Sequence, residues 1–95
     1  MADVFKALGD PTRRTILDEL YDRDGQTLFE LCSRLTMRHG LASTRQAISQ
    51  HLDVLEEAGL IGVERRGRYR IHHIRTEPLE GLADRWLPKP GGEPR

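Results

Sequence analysis

Residues 43–59 read STRQAISQHLDVLEEAG, and this stretch decides how the chain folds. Its apolar residues recur at helical spacing, which predicts an amphipathic helix with one face packed on a core. The inward stripe consists of Ala47, Ile48, Leu52 and Leu55. Ser43 or Thr44 can cap the free amides of the first turn, and Gly59 can adopt the left-handed turn that ends the helix.

The opposite face of this helix is polar and carries no acid before Asp53. Ordinary surface helices pair lysines with glutamates, whereas arginine, glutamine and serine can hydrogen-bond to base edges and phosphates in a DNA major groove. We expect Arg45 and Gln46, in the first turn, to contact base edges, because arginine pairs naturally with guanine and glutamine with adenine. One turn later, Ser49 and Gln50 are expected to contact bases or phosphates.

The residues at the edges of this helix extend the expected DNA-binding surface. Ser43 and Thr44 precede the first turn, where hydroxyl groups and free backbone amides can bind a phosphate. His51 has two open interpretations, a phosphate contact and a structural place at the edge of the core. A solvated polar face is the structural alternative for the whole set, and the neighbouring segments weigh against it.

The charges of the chain are segregated although they sum to zero. The 95 residues include 15 basic and 15 acidic side chains. Residues 31–52 and 65–76 contain no acid, and the second segment carries five arginines. Such segregation predicts a two-sided electrostatic surface, which is the pattern that a nucleic-acid-binding protein needs.

The length of the chain predicts one domain with a small core, which association with a second copy could enlarge. No run approaches the roughly 20 apolar residues that cross a membrane, and the N-terminus lacks a signal-peptide pattern. The single cysteine, Cys32, excludes an intramolecular disulfide and a multi-cysteine metal cage. We therefore expect a soluble, cytoplasmic protein without a membrane partner.

Three helices are predicted before the opening stretch. Residues 4–8 form a short apolar ridge, and Asp10-Pro11 then caps and opens a second helix. Thr27 and Glu30 have the spacing of a capping box at the start of the third helix. Residues 36–42 exceed the three to four residues, roughly, of a tight helix-turn-helix joint, which indicates a longer turn or an extended helix.

After the central helix, the sequence changes from helical to strand-like spacing. Residues 60–64 and 69–74 are β-prone runs that flank a basic segment with one glycine, which predicts a β-hairpin. We expect the tip arginines to enter an adjacent minor groove or to clamp its phosphates, with a solvated turn as the alternative. These arginines are Arg65, Arg66 and Arg68.

A last helix is predicted from Pro78, with Leu79, Leu82, Ala83 and Trp86 along one face. The fold class is therefore mainly α with a two-stranded β-hairpin, in the order α-α-α-α-β-β-α of a winged helix-turn-helix. Residues 1–87 form this domain, and residues 88–95 are predicted to be a disordered tail.

Other conspicuous polar residues are given structural assignments. Tyr69 is assigned to core or hairpin packing, with a base-stacking platform as the alternative. His72 and His73 alternate across a strand, so they cannot face one site and are assigned structural roles. Asp18 and Glu19 leave one helix in different directions and are interpreted as solvated. Because the chain lacks a phosphate-binding glycine loop, a nucleophile elbow and a metalloprotease motif, we predict that it is not an enzyme.

Three segments resemble ArsR-type bacterial transcriptional regulators: LGDPTRR at 8–14, ISQHLDVLEEAGLI at 48–61 and RRGRY at 65–69. The resemblance runs from about Phe5 to Trp86. It implies a homodimeric winged-helix repressor that binds an operator near its own gene, with the first and last helices at the dimer interface. The interface residues would be Val4, Phe5, Leu8, Leu79, Leu82 and Trp86.

Metal sensing is a known activity of this family that the sequence does not support. Metal-sensing members carry paired cysteines in the helix that here contains Cys32 alone, and a soft-metal site needs two or more thiolate or imidazole ligands. Other sensors of the family use histidines and acids on the last helix, where this chain has Glu80 and Asp84 but no histidine. We expect no metal and no cofactor, and Cys32 is expected to be a buried small apolar residue.

The sequence predicts a dimeric repressor that binds double-stranded DNA. Its two reading helices would enter successive major grooves, about 34 Å apart, in a pseudo-palindromic operator. The alternative is a winged-helix module that binds another protein without sequence-specific DNA binding, although such modules tend to carry apolar patches where this chain is basic. A third hypothesis keeps the DNA function and adds redox or ligand sensing through Cys32.

Overall fold

A computed structural model describes residues 3–86 of the chain, except the side chain of Trp86. Within that range the chain forms five helices and a two-stranded antiparallel sheet, which confirms the predicted winged helix-turn-helix fold. The helices are α1 (Val4–Leu8), α2 (Pro11–Asp22), α3 (Leu28–His39), α4 (Arg45–Glu57) and α5 (Glu77–Trp86). The strands are β1 (Ile61–Arg66) and β2 (Tyr69–Ile74). The predicted tail, residues 88–95, lies outside the described residues.

The helix starts follow the capping rules. The side chain of Asp10 accepts a hydrogen bond from the backbone amide of Arg13 at 3.0 Å, and Pro11 is the first residue of α2. The capping box of α3 is closed, with Thr27 Oγ1 accepting from the amide of Glu30 at 3.2 Å and Glu30 Oε1 accepting from the amide of Thr27 at 2.9 Å.

The segment between α3 and α4 has the second of its two predicted forms, an extended helix. Helix α3 continues to His39 and ends at Gly40, whose φ of +64° is the left-handed conformation that glycine adopts without strain. Residues 41–44 then lead to α4, which is capped by Thr44 and not by Ser43: Thr44 Oγ1 accepts from a first-turn amide at 3.0 Å.

The hairpin, residues 61–74, is called the wing below. Its turn has two residues instead of the predicted four, because Arg66 pairs with Tyr69 and only Gly67 and Arg68 lie between them. Gly67 has a φ of +62° and Arg68 has a negative φ, which is the sign pattern of a type II′ turn. Arg65 and Arg66 therefore belong to β1.

The core lies where α2, α3 and α4 meet. Its fully buried side chains include Ile16, Leu20, Leu31, Leu35, Ile48, Leu55 and Leu60. Cys32 packs against this cluster, but it is half-buried and not buried as predicted. Tyr69 departs from its assignment to hairpin packing, because it is 64% exposed near the end of the wing.

Glu19 was predicted to be solvated, and this prediction is wrong, because its side chain is fully buried. Its carboxylate accepts a hydrogen bond from Gln26 Nε2 at 2.8 Å and lies 3.3 Å from Arg38 Nη1 and 3.1 Å from His39 Nε2. These partners come from the α2–α3 loop and the last turn of α3. Three donors compensate the carboxylate for its loss of water, which is why a charged residue can occupy this place.

Among residues 3–86, none of the helices combines the length and the apolar character that a membrane-spanning helix requires.

Candidate nucleic-acid interface

The outward face of α4 is centred on two glutamines. Successive helical residues are about 100° apart, so Gln46 and Gln50, each two positions from Ile48, leave α4 within about 20° of the direction opposite to it. Ile48 is 1% exposed and points into the core, whereas both glutamines are exposed. The predicted pair of base-contacting glutamine side chains is thus aligned along one exposed ridge of the helix, called the glutamine ridge below.

Arg45 leaves α4 on a different side, about 60° around the helix from Ile48. Its guanidinium carbon lies 5.4 Å from the centroid of the Phe29 ring on α3, which is the distance of a cation–π contact. Ser49 is half-buried on the same flank. The structure therefore separates Arg45 from the glutamine ridge, although the sequence pattern groups Arg45 with Gln46 as base-contacting residues.

The contact between Phe29 and Arg45 is not predicted from the sequence. Its ring is 64% exposed on α3. A signal is present in the helical spacing, because Phe29 follows Leu28 directly and so lies off the inward stripe of that helix.

His51 lies on the other flank of α4, between the two roles that the sequence leaves open for it. Its Nδ1 atom is 3.2 Å from Arg13 Nη1 and 3.9 Å from Asp10 Oδ2, and its side chain is 24% exposed. A guanidinium nitrogen only donates, so Nδ1 accepts this hydrogen bond and Nε2 carries the ring proton. Burial opposes ionisation of Asp10, yet hydrogen bonds from the amides of Arg13 and Thr12 and the charge of Arg13 leave its pKa lowered.

The start of α4 places both hydroxyl residues at the surface. Ser43 and Thr44 are exposed. The Thr44 hydroxyl oxygen accepts a hydrogen bond within the helix, and its proton remains available to an acceptor such as a phosphate oxygen. Four backbone amides at a helix start lack helical partners, which favours an anion at this end.

The wing carries exposed arginines at its tip: Arg65, Arg66 and Arg68. Arg66 Nη2 donates to Glu64 Oε2 at 3.0 Å, so part of its charge is balanced within the wing. Arg70, on β2, lies 3.9 Å from Glu56 at the end of α4. Two arginines of the acid-free segment thus have carboxylate partners, Glu64 directly before the segment in sequence and Glu56 on α4.

An ionised cluster holds the base of the wing. His73 lies 2.8 Å from Asp24 Oδ2 through Nδ1 and 2.8 Å from Glu64 Oε1 through Nε2. The hydrogen bonds to Asp24 and then to Glu64 raise the pKa of His73. The hydrogen bond from His73 and the one from Arg66 lower the pKa of Glu64. Burial opposes ionisation of Asp24, but hydrogen bonds from His73 and the amide of Ile74 leave its pKa lowered.

A groove of about 270 Å³ separates α4 from the wing and opens beside the start of α3. Along α4, Arg45 and Ser49 line the groove near the start of the helix, and Asp53 and Glu56 line it nearer the end. Phe29 lies beside Arg45, Arg70 lies 3.9 Å from Glu56, and Arg68 and Tyr69 line the wing side.

Comparison with known proteins agrees with this arrangement. The helix-turn-helix domain family matches residues 8–64 of the chain. The HTH-type transcriptional regulator YuzN of Bacillus subtilis strain 168 is 52% identical over 84 residues, covering 88% of this chain and 91% of that protein. An ArsR-like transcriptional regulator from Rhodococcus sp. RHA1 is 35% identical, with a TM-score of 0.74 over 86% of this chain and 69% of that chain. The chain belongs to the ArsR-type helix-turn-helix transcriptional regulators.

A further relative carries a more specific description. The transcriptional repressor SdpR of Bacillus subtilis strain 168 is 34% identical over 80 residues, which cover 84% of this chain and 81% of that protein. Because these relatives are transcriptional regulators, the chain is a DNA-binding transcriptional regulator and not an enzyme. The predicted ArsR-type resemblance is thereby confirmed.

The residues predicted to form the regulator's dimer interface lie in two terminal helices. Val4, Leu8 and Leu79 are half-buried and pack against the core, so each has only part of its surface to offer to a second copy. Phe5 is 51% exposed and Leu82 is half-buried. The side chain of Trp86 lies outside the described part of the chain.

Metal-binding side chains are not clustered in the described part of the regulator. Within residues 3–86, no group of three or more histidine, cysteine, aspartate or glutamate side chains is arranged to hold a metal ion. Burial raises the pKa of the Cys32 thiol although Arg45 acts in the opposite direction, so the reactive thiolate form of Cys32 is disfavoured.

Proposed function

We propose that the regulator is a homodimeric, sequence-specific repressor that acts in the cytoplasm on a pseudo-palindromic operator. The observation that carries this proposal is the outward ridge of α4, where Gln46 and Gln50 present amide groups opposite the core. Side-chain amides can form paired hydrogen bonds with adenine in the major groove. The repressor role is supported by the similarity to SdpR.

A dimer is part of the proposal because of the geometry of DNA. Two reading helices on a two-fold axis would meet successive major grooves about 34 Å apart. The terminal helices would supply the interface through Val4, Phe5, Leu8, Leu79, Leu82 and Trp86. Affinity would come chiefly from phosphate contacts, to which Ser43, Thr44, His51 and the wing arginines contribute.

The test is a titration of the regulator against a duplex from the region upstream of its own gene. A random duplex of equal length serves as the comparison, and both are measured at two salt concentrations. We expect tighter, salt-sensitive binding to the native duplex, with Gln46→Ala reducing the preference between duplexes and leaving the salt dependence nearly unchanged. Failure of a folded dimer to bind either duplex would contradict the proposal and favour a protein partner instead.

A further inference from the structure

The two ends of the groove between α4 and the wing differ in charge. At one end Arg45 lies over the Phe29 ring, with Ser49 one turn along α4. At the other end Asp53 and Glu56 line the wall, and Arg70, 3.9 Å from Glu56, balances one of the two carboxylates. A polyanion would therefore approach the Arg45 end and be repelled by the far end.

The direction of Arg45 separates it from the bases. Its side chain leaves α4 about 120° from the direction opposite to Ile48, on which the glutamine ridge is centred. The contact with Phe29 holds the guanidinium against α3. When the glutamine ridge faces the floor of a major groove, a side chain on this flank faces the groove wall, which is formed by the phosphate backbone.

We propose that Arg45, held by the ring of Phe29, binds a DNA phosphate at the groove wall, so that Gln46 and Gln50 alone contact base edges from α4. This inference rests on the proposed function and deepens it. It assigns the chain a preference for adenine, not guanine, at the positions that α4 contacts, because glutamine amides match the N6 and N7 groups of adenine.

Phe29 is a positioning residue in this proposal. The centroid of its ring lies 5.4 Å from the guanidinium carbon of Arg45, and this contact restricts a long side chain that would otherwise sample many rotamers. A planar guanidinium on an aromatic face keeps its edge N–H groups available, so Arg45 can still donate to a phosphate while it is stacked. The ring thus lowers the entropy cost of binding through Arg45.

The experiment selects bound sequences from a library of duplexes with a randomised central window and then measures Kd for the enriched duplex over a range of salt. The proteins are the wild type, Arg45→Ala, Gln46→Ala and Gln50→Ala. Arg23→Ala is the matched control, because it removes one exposed arginine at the end of α2. Thermal unfolding of each variant verifies that it is folded.

We expect the wild type to enrich adenines in each half-site. Arg45→Ala should enrich the same sequences but lower the slope of log Kd against log salt by about 0.9 for each phosphate that is no longer neutralised. The two glutamine variants should lose the preference at individual positions and keep the slope. Arg23→Ala should change neither property.

Two further variants test the positioning role. Phe29→Tyr keeps the ring and should bind as the wild type does. Phe29→Leu should weaken binding to the enriched duplex without changing the enriched sequences, as Arg45→Ala does. The Phe29→Leu change should have no further effect when Arg45 is already alanine, because a ring without its guanidinium has nothing to position.

Loss of a guanine preference in Arg45→Ala, or equal binding by Phe29→Leu and the wild type, would overturn the inference and leave the proposed function intact. A folded wild type that enriches no sequence would overturn both.

Discussion

His73 and Glu64 lie diagonally across the wing, with Nε2 of the histidine 2.8 Å from a carboxylate oxygen of the glutamate. The other ring nitrogen of His73 lies 2.8 Å from Asp24, in the loop between α2 and α3. Ionised carboxylates only accept hydrogen bonds, so both contacts are satisfied together when the imidazole is protonated. The protonated imidazole of His73 thus links the wing to the loop between α2 and α3.

The protonation state of His73 should be measurable directly. The hydrogen bonds to Asp24 and Glu64 raise its pKa above 6.5, and NMR titration of the ring should place the midpoint there. Glu64→Gln should lower the midpoint, because one of the two anions is removed. Glu57→Gln, at an exposed carboxylate of α4, should leave it unchanged. Equal midpoints in the wild type and Glu64→Gln would contradict this account.

The same cluster predicts how stability depends on pH. The pKa of His73 is raised on folding, so its contribution is complete below 6.5 and is lost as pH rises through the folded value. The pKa values of Asp24 and Glu64 are lowered, so their contributions are complete above 3.8 and 4.5 and are lost as pH falls through the folded values. As pH rises from well below to well above the folded pKa of His73, the thermal midpoint should therefore fall by a larger amount in the wild type than in His73→Gln.

Glu19→Ala should lower the free energy of unfolding by about 1–3 kcal/mol, because buried Gln26 loses the acceptor of one amide proton. In a domain of this size, each kcal/mol corresponds to a fall of about 4–8 °C in Tm. Asp18→Ala is the matched control, since Asp18 is the exposed neighbour on α2 and should change Tm little. The stability of both variants is measured by denaturant and thermal unfolding. Equal changes in Tm for the two variants would contradict the stabilising role of buried Glu19.

The wing arginines should contribute to affinity but not to sequence preference. Arg68→Ala should weaken binding to every duplex alike and lower the salt slope by about 0.9 for each phosphate that the side chain neutralises. Arg66→Ala should lower it less, because Glu64 already balances part of that charge at 3.0 Å. Salt titrations with two unrelated duplexes distinguish the variants, and a change in the ratio of the two affinities would oppose this division of roles.

Dimerisation through the terminal helices should be sensitive to charge at Leu82. Leu82→Glu should give a monomer in sedimentation, because a carboxylate would be desolvated in the proposed interface. Loss of bivalent binding should weaken affinity for a two-half-site duplex by about 100-fold or more. Tyr21→Glu, at a side chain 77% exposed on α2, is the control and should remain dimeric. A dimeric Leu82→Glu would place the interface elsewhere.

Features that depend on neighbours in sequence were predictable. The Asp10 cap, the capping box of Thr27 and Glu30, and the left-handed turn at Gly59 just after α4, with its φ of +79°, each follow from residues within one turn of the helix. The order of elements followed from the change in hydrophobic spacing after α4. Local rules therefore sufficed for the architecture.

Features that depend on distant residues were not predictable. Glu19 and Asp18 are neighbouring acids on α2, but only Glu19 is buried. Its carboxylate has partners in the α2–α3 loop and the last turn of α3, which are distant in sequence. The side on which Arg45 leaves α4 follows from helical spacing, but the position of its guanidinium depends on Phe29, which lies on another helix. Spacing assigns a residue to a face of its own helix, but the partner on the next element decides where a long side chain ends.

The base of the wing is clamped while its tip is not. The backbone of His72 donates to the carbonyl of Gln26 at 2.8 Å and accepts from its amide at 3.1 Å, and His72 Nδ1 lies 2.9 Å from the same carbonyl. In mechanical terms the hairpin is a cantilever with a fixed root and a free end at Gly67. If a duplex contacts the wing as proposed, these hydrogen bonds at the root would oppose rotation of the whole hairpin, so an ill-fitting DNA backbone would have to be accommodated by bending near the tip, at an elastic cost.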